Sequence, residues 1–109
     1  MVDRIQPRHD ILVRIKRAVL AGRVIFSEKA SLELEADDLT ELDVAEAIVG
    51  AAAVYKTLRS RSPLRLENDL LYVIIGTTYQ GVIVYTKGKL VRRGGLDYYY
   101  FLVSAKRAV

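Results

Sequence analysis

Hydrophobic spacing changes once along this chain, and that change sets the fold class. Up to Gly50 the apolar residues recur mainly every three or four positions, as one face of a helix requires. From Val54 onward they alternate, as a strand with one buried side requires. Ile11, Leu12, Ile15, Val19 and Leu20 give an apolar stripe to a helix over about 10–21, with Asp10 as its cap and Gly22 as its stop. Residues 1–7 read as a lead-in closed by Pro7, and Val24–Phe26 as a short strand. Ser27 is a good N-cap for a helix through SEKASLELEADD. Thr40 with Asp43 resembles a capping box for a helix ending at Gly50, with Leu42, Val44, Ala45, Ile48 and Val49 on its inner face.

Beyond Ala51–Ala53 the pattern predicts about four antiparallel strands. They are VYKTLRS (54–60), an apolar stretch at 70–75, GVIVYTK (81–87) and DYYYFLVSAK (97–106). The stretch 70–75 is apolar on both sides, which suits a strand in the middle of the sheet. SRSPLRLEND (60–69) reads as a loop, GTTYQG (76–81) as a hairpin connection, and Gly88 as a bend before a basic loop through Arg92, Arg93, Gly94 and Gly95. The expectation is one α+β domain over residues 1–109, with helices packed on one face of an antiparallel sheet and the other face open.

Composition narrows the function classes. With no cysteine, disulfides and thiolate metal sites are excluded, and His9 is the only histidine, so neither a zinc site nor any other cofactor is expected. His9 also has no acidic or nucleophilic neighbour in a motif. No apolar run approaches the ~20 residues of a membrane span, and MVDRIQPRHD has no signal-peptide core. A soluble cytoplasmic protein is the expectation.

The net charge of +4 conceals a stronger segregation. Residues 1–26 hold six basic and two acidic residues, residues 27–46 hold Lys29 against eight acids, and residues 47–109 hold ten basic and three acidic residues. Such blocks predict one electropositive surface, which suits a polyanion such as RNA. The acids of 27–46 read as solvated outer faces of two helices, since no calcium-loop motif is present.

Parity then picks out side chains. In 97–106, Tyr99, Phe101, Val103 and Ala105 suit the core, leaving Tyr98, Tyr100, Leu102, Ser104 and Lys106 on the open face. In 82–87, Val82, Val84 and Thr86 suit the core, and Ile83, Tyr85 and Lys87 join the open set. In 54–60, Lys56 shares a side with Val54 and Leu58, the core side, so Arg59 is better placed for the open face. Tyrosines and lysines on one face are suitable equipment for metal-independent RNA cleavage. RNA supplies its own 2′-hydroxyl nucleophile, and the protein must supply a base, cations for the phosphate and an acid for the leaving 5′-oxygen. Tyrosine rings can also stack on unpaired bases.

These pieces together resemble a known group. AGRV (21–24), FSEKA (26–30), LDVAEAIVG (42–50), VYKTLR (54–59), VYTK (84–87) and FLVSAKR (101–107) are similar, in order and spacing, to the small bacterial toxins of the RelE-like superfamily, most of all the MqsR-type mRNA interferases. The resemblance covers about residues 11–107. It implies a RelE-like α+β domain with a curved antiparallel sheet, endoribonuclease cleavage of messenger RNA without metal, and a cognate antitoxin as partner, in this group often a zinc-finger protein with a DNA-binding domain. It matches Tyr85 to the tyrosine of a Y-x-K strand, with Lys87 as the second basic residue, Lys106 to the lysine of the last strand, and Lys56 to a lysine of the second strand. The family's glutamine has no counterpart in 60–69. The expected site is therefore Tyr85 as base and Lys106 as charge stabiliser or acid, supported by Lys87, Lys56 and Arg59. Arg61, Arg65, Arg92 and Arg93 would hold phosphates, and Tyr98 or Tyr100 would stack on bases. The competing expectations are a non-catalytic RNA- or ribosome-binding module and a protein-interaction domain. A free sheet edge would also allow a homo-oligomer.

Overall fold

Three helices and five strands follow in the order α1 (Ile5–Leu20), β1 (Val24–Phe26), α2 (Glu28–Ala36), α3 (Glu41–Gly50), β2 (Lys56–Arg59), β3 (Leu70–Thr77), β4 (Ile83–Arg93) and β5 (Asp97–Arg107). This computed structural model describes residues 5–59, 70–94 and 97–108. The loop expected at 60–69, with Arg61 and Arg65, lies outside the described residues, as does the side chain of His9. No helix is long and apolar enough to cross a membrane, among the described residues.

The α+β class is as expected, but the sheet is mixed. Its order is β1-β5-β4-β3-β2, and β1 runs parallel to β5, with Val24 opposite Tyr100 and Phe26 opposite Leu102. The remaining pairings are antiparallel. The reason lies in the connection: α2 and α3 separate β1 from β2, so β1 has no hairpin partner and adds to the edge of β5 instead.

α1 starts earlier than its polar cap suggested. Pro7 falls in the first turn, where its missing N–H costs nothing, and Asp10 lies inside the helix, 4.0 Å from Arg14 one turn on. Leu12, Ile15, Ala18 and Val19 form its buried stripe, while Leu20 is turned out at 72 % exposure. The caps of α2 and α3 are those the sequence predicts: Ser27 Oγ accepts from the Ala30 N–H at 3.0 Å, and Thr40 and Asp43 bond reciprocally. In α3, Val44, Ala47 and Ile48 are buried, whereas Leu42 in the first turn is exposed.

The core lies between these helices and one face of the sheet, and the sheet contributes Ile74, Val84, Tyr100, Leu102 and Ala105 to it. Two glycines allow the close approach. A Cβ on Gly76 would collide with the Ala47 carbonyl, so α3 sits directly on β3. A Cβ on Gly88 would lie 2.7 Å from the Phe101 carbonyl oxygen and 2.8 Å from the Tyr100 ring. Gly88 is therefore not a bend that ends the strand. β4 passes straight through it because the Tyr100 ring needs that space.

β5 carries a bulge beside this glycine. Lys87 pairs with Ser104 and Gly88 with Leu102, so Val103 is the extra residue. α2 holds the bulge in place. Ser27 Oγ donates to the Val103 carbonyl at 3.1 Å, and Glu33 Oε1 accepts from Ser104 Oγ at 2.7 Å and from the Ala105 N–H at 3.0 Å. Asp37 then accepts from the Arg107 N–H at 2.8 Å. The acidic helix thus satisfies the edge of β5 that the three-residue β1 leaves uncovered.

Burial alone would raise the Glu33 carboxyl, but hydrogen bonds from Lys29, Ser104 and Ala105 outweigh it and hold the group at about 2, against an ordinary 4.5. A depressed folded-state value contributes stability that is present above the unfolded value and lost as pH falls towards the folded one. Glu33→Ala should therefore cost about 1–3 kcal/mol near neutrality, where it orphans Ser104 and Ala105. In urea melts the gap between variant and wild type should narrow between about pH 4.5 and 2. A gap that stays constant across that window would contradict the role given to the carboxylate.

Candidate nucleic-acid interface

The register identifies what shares the face away from the helices. Val84 and Thr86 of β4 are fully buried on the helix side, with the Thr86 hydroxyl donating to the Ile74 carbonyl at 2.8 Å. Ile83, Tyr85, Lys87, Lys89 and Val91 alternate with them and lie on the opposite face. Cross-strand partners share a face. One row across the sheet is Ile75–Tyr85–Lys106, and the next is Lys56–Val73–Lys87. Further along the β4–β5 hairpin come Lys89–Phe101 and Val91–Tyr99.

Tyr85 and Lys106 are thus direct partners, and Lys106 Nζ lies 5.6 Å from the centroid of the Tyr85 ring. That is within the range of cation–π attraction. Tyr85 is half-buried and Lys106 exposed, so solvent and ligands reach the pair. Lys87 is two residues from Tyr85 on the same face, about 7 Å along the strand. Val73 is fully buried although no described helix covers it, with Lys56 on one side and Lys87 on the other. Aliphatic stems of lysines cover apolar surface in this way while their ammonium groups stay in water. Lys56 Nζ is also 6.0 Å from the Tyr55 ring. Both described ion pairs, Asp10–Arg14 and Lys29–Glu33, lie on the helices, not on this face.

Four expectations need correction. Tyr100 is 0 % exposed, leans over Gly88 and sends its hydroxyl towards the Tyr72 carbonyl at 3.4 Å. Tyr98 pairs with Arg92 on the helix side, and its ring lies 4.7 Å from the Arg92 guanidinium carbon and 5.5 Å from that of Arg14. Neither ring is a free stacking surface. The cause is the bulge: it reverses parity between Leu102 and Ser104, so Tyr98 and Tyr100 do not share a face with Lys106. Tyr99 and Phe101 take the open face in their place.

Arg59 is the third correction. It pairs with Leu70, two residues from the Thr57–Tyr72 pair that borders the core, so it belongs to the helix side. Lys56, placed on the core side by parity with Val54, instead joins Lys87 across Val73. Val54 is buried in the segment before β2, and the regular strand begins only at Lys56. The fourth concerns Arg92 and Arg93, which are the last residues of β4 and not a loop. Arg93 pairs with Asp97, and both side chains lie outside the described residues. Lys89, Tyr99 and Phe101 were missed. For Lys89 the signal was present, since alternation continues past Gly88.

Among the described residues, no three His, Cys, Asp or Glu side chains gather as a metal-ligand set. A cavity of about 240 Å³ lies between α1, β1 and α3, bordered by Glu41 and Leu42. It has no base or nucleophile beyond that carboxylate and lies across the sheet from Tyr85. No family model matches the chain, and no match is found among curated proteins or solved structures.

Proposed function

We propose that this chain is a metal-independent endoribonuclease, the toxin of a toxin–antitoxin pair, with a RelE-like sheet as its platform. The observation that carries the reading is the Tyr85–Lys106 pair, with Lys87 and Lys56 in the adjoining row. A phosphodiester lying over that pair meets a phenolic oxygen and an ammonium at once. The 2′-oxygen attacks phosphorus as the Tyr85 phenolate takes its proton, a 2′,3′-cyclic phosphate forms, and the bond to the 5′-oxygen breaks. Lys106 stabilises the charge gathering on the phosphate and supplies the proton that the 5′-oxygen needs. Lys87 and Lys56 neutralise neighbouring phosphates, and Phe101 offers an apolar ring to an unpaired base further along the hairpin.

The proposed partners are messenger RNA and a cognate antitoxin that would silence the site, in the cytoplasm. Two acids of α2 come up to the edge of this face: Glu33 accepts from Ser104, the partner of Lys87, and is offset by Lys29, and Asp37 accepts from the Arg107 N–H beside Lys106.

Incubating the purified protein with an unstructured messenger transcript in EDTA tests the proposal. Discrete cleavage is expected. Retention of the transcript intact, both alone and with ribosomes, at concentrations where it is bound would leave a binding module with the same basic face.

A further inference from the structure

The helix side of the sheet carries a second cationic cluster that the cleavage reading does not use. It is built on Tyr98. The Arg92 guanidinium carbon lies 4.7 Å from the Tyr98 ring centroid, and that of Arg14, from α1, lies 5.5 Å from it. Arg23, between α1 and β1, donates from Nε to the Tyr98 carbonyl oxygen at 2.8 Å. Three arginines from three parts of the chain therefore converge on one residue. Among the described residues their charge is poorly offset. The carboxylate described beside them, Asp10, is 4.0 Å from Arg14, with the Arg14 side chain about half exposed and that of Asp10 mostly exposed. Two guanidiniums on one ring are on the order of 10 Å apart or less, close to the screening length at physiological salt, so they repel. The π-face of Tyr98 and its carbonyl offset part of that repulsion and fix the arginines in place.

A fixed set of guanidiniums is matched to phosphate, which it binds with two parallel N–H bonds. Its position says which phosphate. Arg92–Tyr98 is one pair from the last described pair of the β4–β5 hairpin and faces the helices, whereas Val91–Tyr99 beside it faces the open side. A chain of phosphates lying along the open face meets this cluster on rounding the hairpin. Only a single strand can turn so sharply, since a duplex is stiff over many base pairs. We infer that Arg14, Arg23 and Arg92, gathered on Tyr98, form a phosphate-binding site for single-stranded RNA that continues past the sheet face. This rests on the RNA reading of that face and extends the bound strand to the other side of the sheet.

From Lys106 to Tyr98 along β5 is about 27 Å, farther than the few phosphates of a very short RNA reach and well within the span of a longer single strand. A ~4-nucleotide RNA thus reaches one site and a ~15-nucleotide RNA reaches both. The test is fluorescence anisotropy with 5′-labelled, unstructured 2′-O-methyl RNA of the two lengths, which cannot be cleaved through the 2′-hydroxyl. The double variant Arg14→Gln/Arg92→Gln should weaken the longer RNA about tenfold or more and reduce its salt slope by about 1.4, at ~0.7 per phosphate contact on single strands. The shorter RNA should be affected no more than about twofold. Arg14→Gln alone, at an exposed helix position that does not threaten the fold, should lower the slope by about half as much. Unchanged affinity and slope for the longer RNA in the arginine variants, while Lys87→Gln/Lys106→Gln weakens both lengths, would overturn the second site and leave the sheet-face reading standing. Loss on the longer RNA in the arginine variants, with none in the lysine variant, would keep the cluster and remove RNA from the sheet face.

Discussion

Replacing Lys106 with alanine, or Tyr85 with phenylalanine, is expected to slow RNA cleavage by about 10²–10⁴-fold while leaving the fold intact. Lys106 is exposed at the end of β5 and touches the ring of Tyr85, not the core. Exposed substitutions of this kind shift stability by about 0.5 kcal/mol or less. Tyr85→Phe is the sharper probe, because it removes one oxygen and keeps the ring that Lys106 approaches. RNA binding should persist in both variants. The loss of one ammonium lowers the salt slope by about 0.7, a small effect beside the loss of an acid. Single-turnover cleavage measured beside binding separates the two. A variant that cleaves at the wild-type rate leaves the catalytic set, and one that loses binding and rate together marks a phosphate contact only.

The second large effect is on stability. Tyr100→Ala should cost about 3–5 kcal/mol, the range for emptying a buried aromatic site. Tyr100 is the largest fully buried side chain among the described residues, and Gly88 lacks a side chain where its ring lies. Tyr100→Phe should cost about 1 kcal/mol or less, since the bond it removes is long. Burial, with a smaller contribution from Tyr72, pushes the Tyr100 phenol well above its ordinary 10.0. A raised folded-state value means that stability is intact below the unfolded value and falls as pH climbs past it. Wild type should therefore lose stability above about pH 10, and Tyr100→Phe should lose less. Urea melts at neutral and alkaline pH check both points. A Tyr100→Ala variant with wild-type stability would return this side chain to the surface and contradict the bulge.

Local chemistry made much of this fold legible. Ser27, Thr40 and Asp43 cap where short polar side chains can reach the first free N–H groups, and the apolar periods separate helix from strand. Tyr85, Lys87 and Lys106 share a face as their parity suggests, because each lies within a regular stretch beside its partner. What stayed hidden depends on contacts between distant segments. The bulge at Val103 is held by Ser27 and Glu33, more than 70 positions away. Nothing in YYYFLVSAK alone says that parity reverses there, and so Tyr98 and Tyr100 were assigned to the wrong side. Gly88 reads as a break because its use, room for the ring of Tyr100 from the neighbouring strand, requires that ring to be in place. The parallel pairing of β1 was hidden for the same reason: three residues carry too little pattern to name a partner.

The central claim is that the RNA's own 2′-hydroxyl is the nucleophile over Tyr85 and Lys106. It is tested most directly by mapping one cleavage position in a short RNA and removing that single 2′-hydroxyl. The account predicts that the 2′-deoxy substrate is bound but not cut in EDTA, and that the all-RNA substrate yields a 2′,3′-cyclic phosphate and a 5′-hydroxyl. Cutting of the deoxy substrate at the same bond, or a 5′-phosphate on the product, would contradict it.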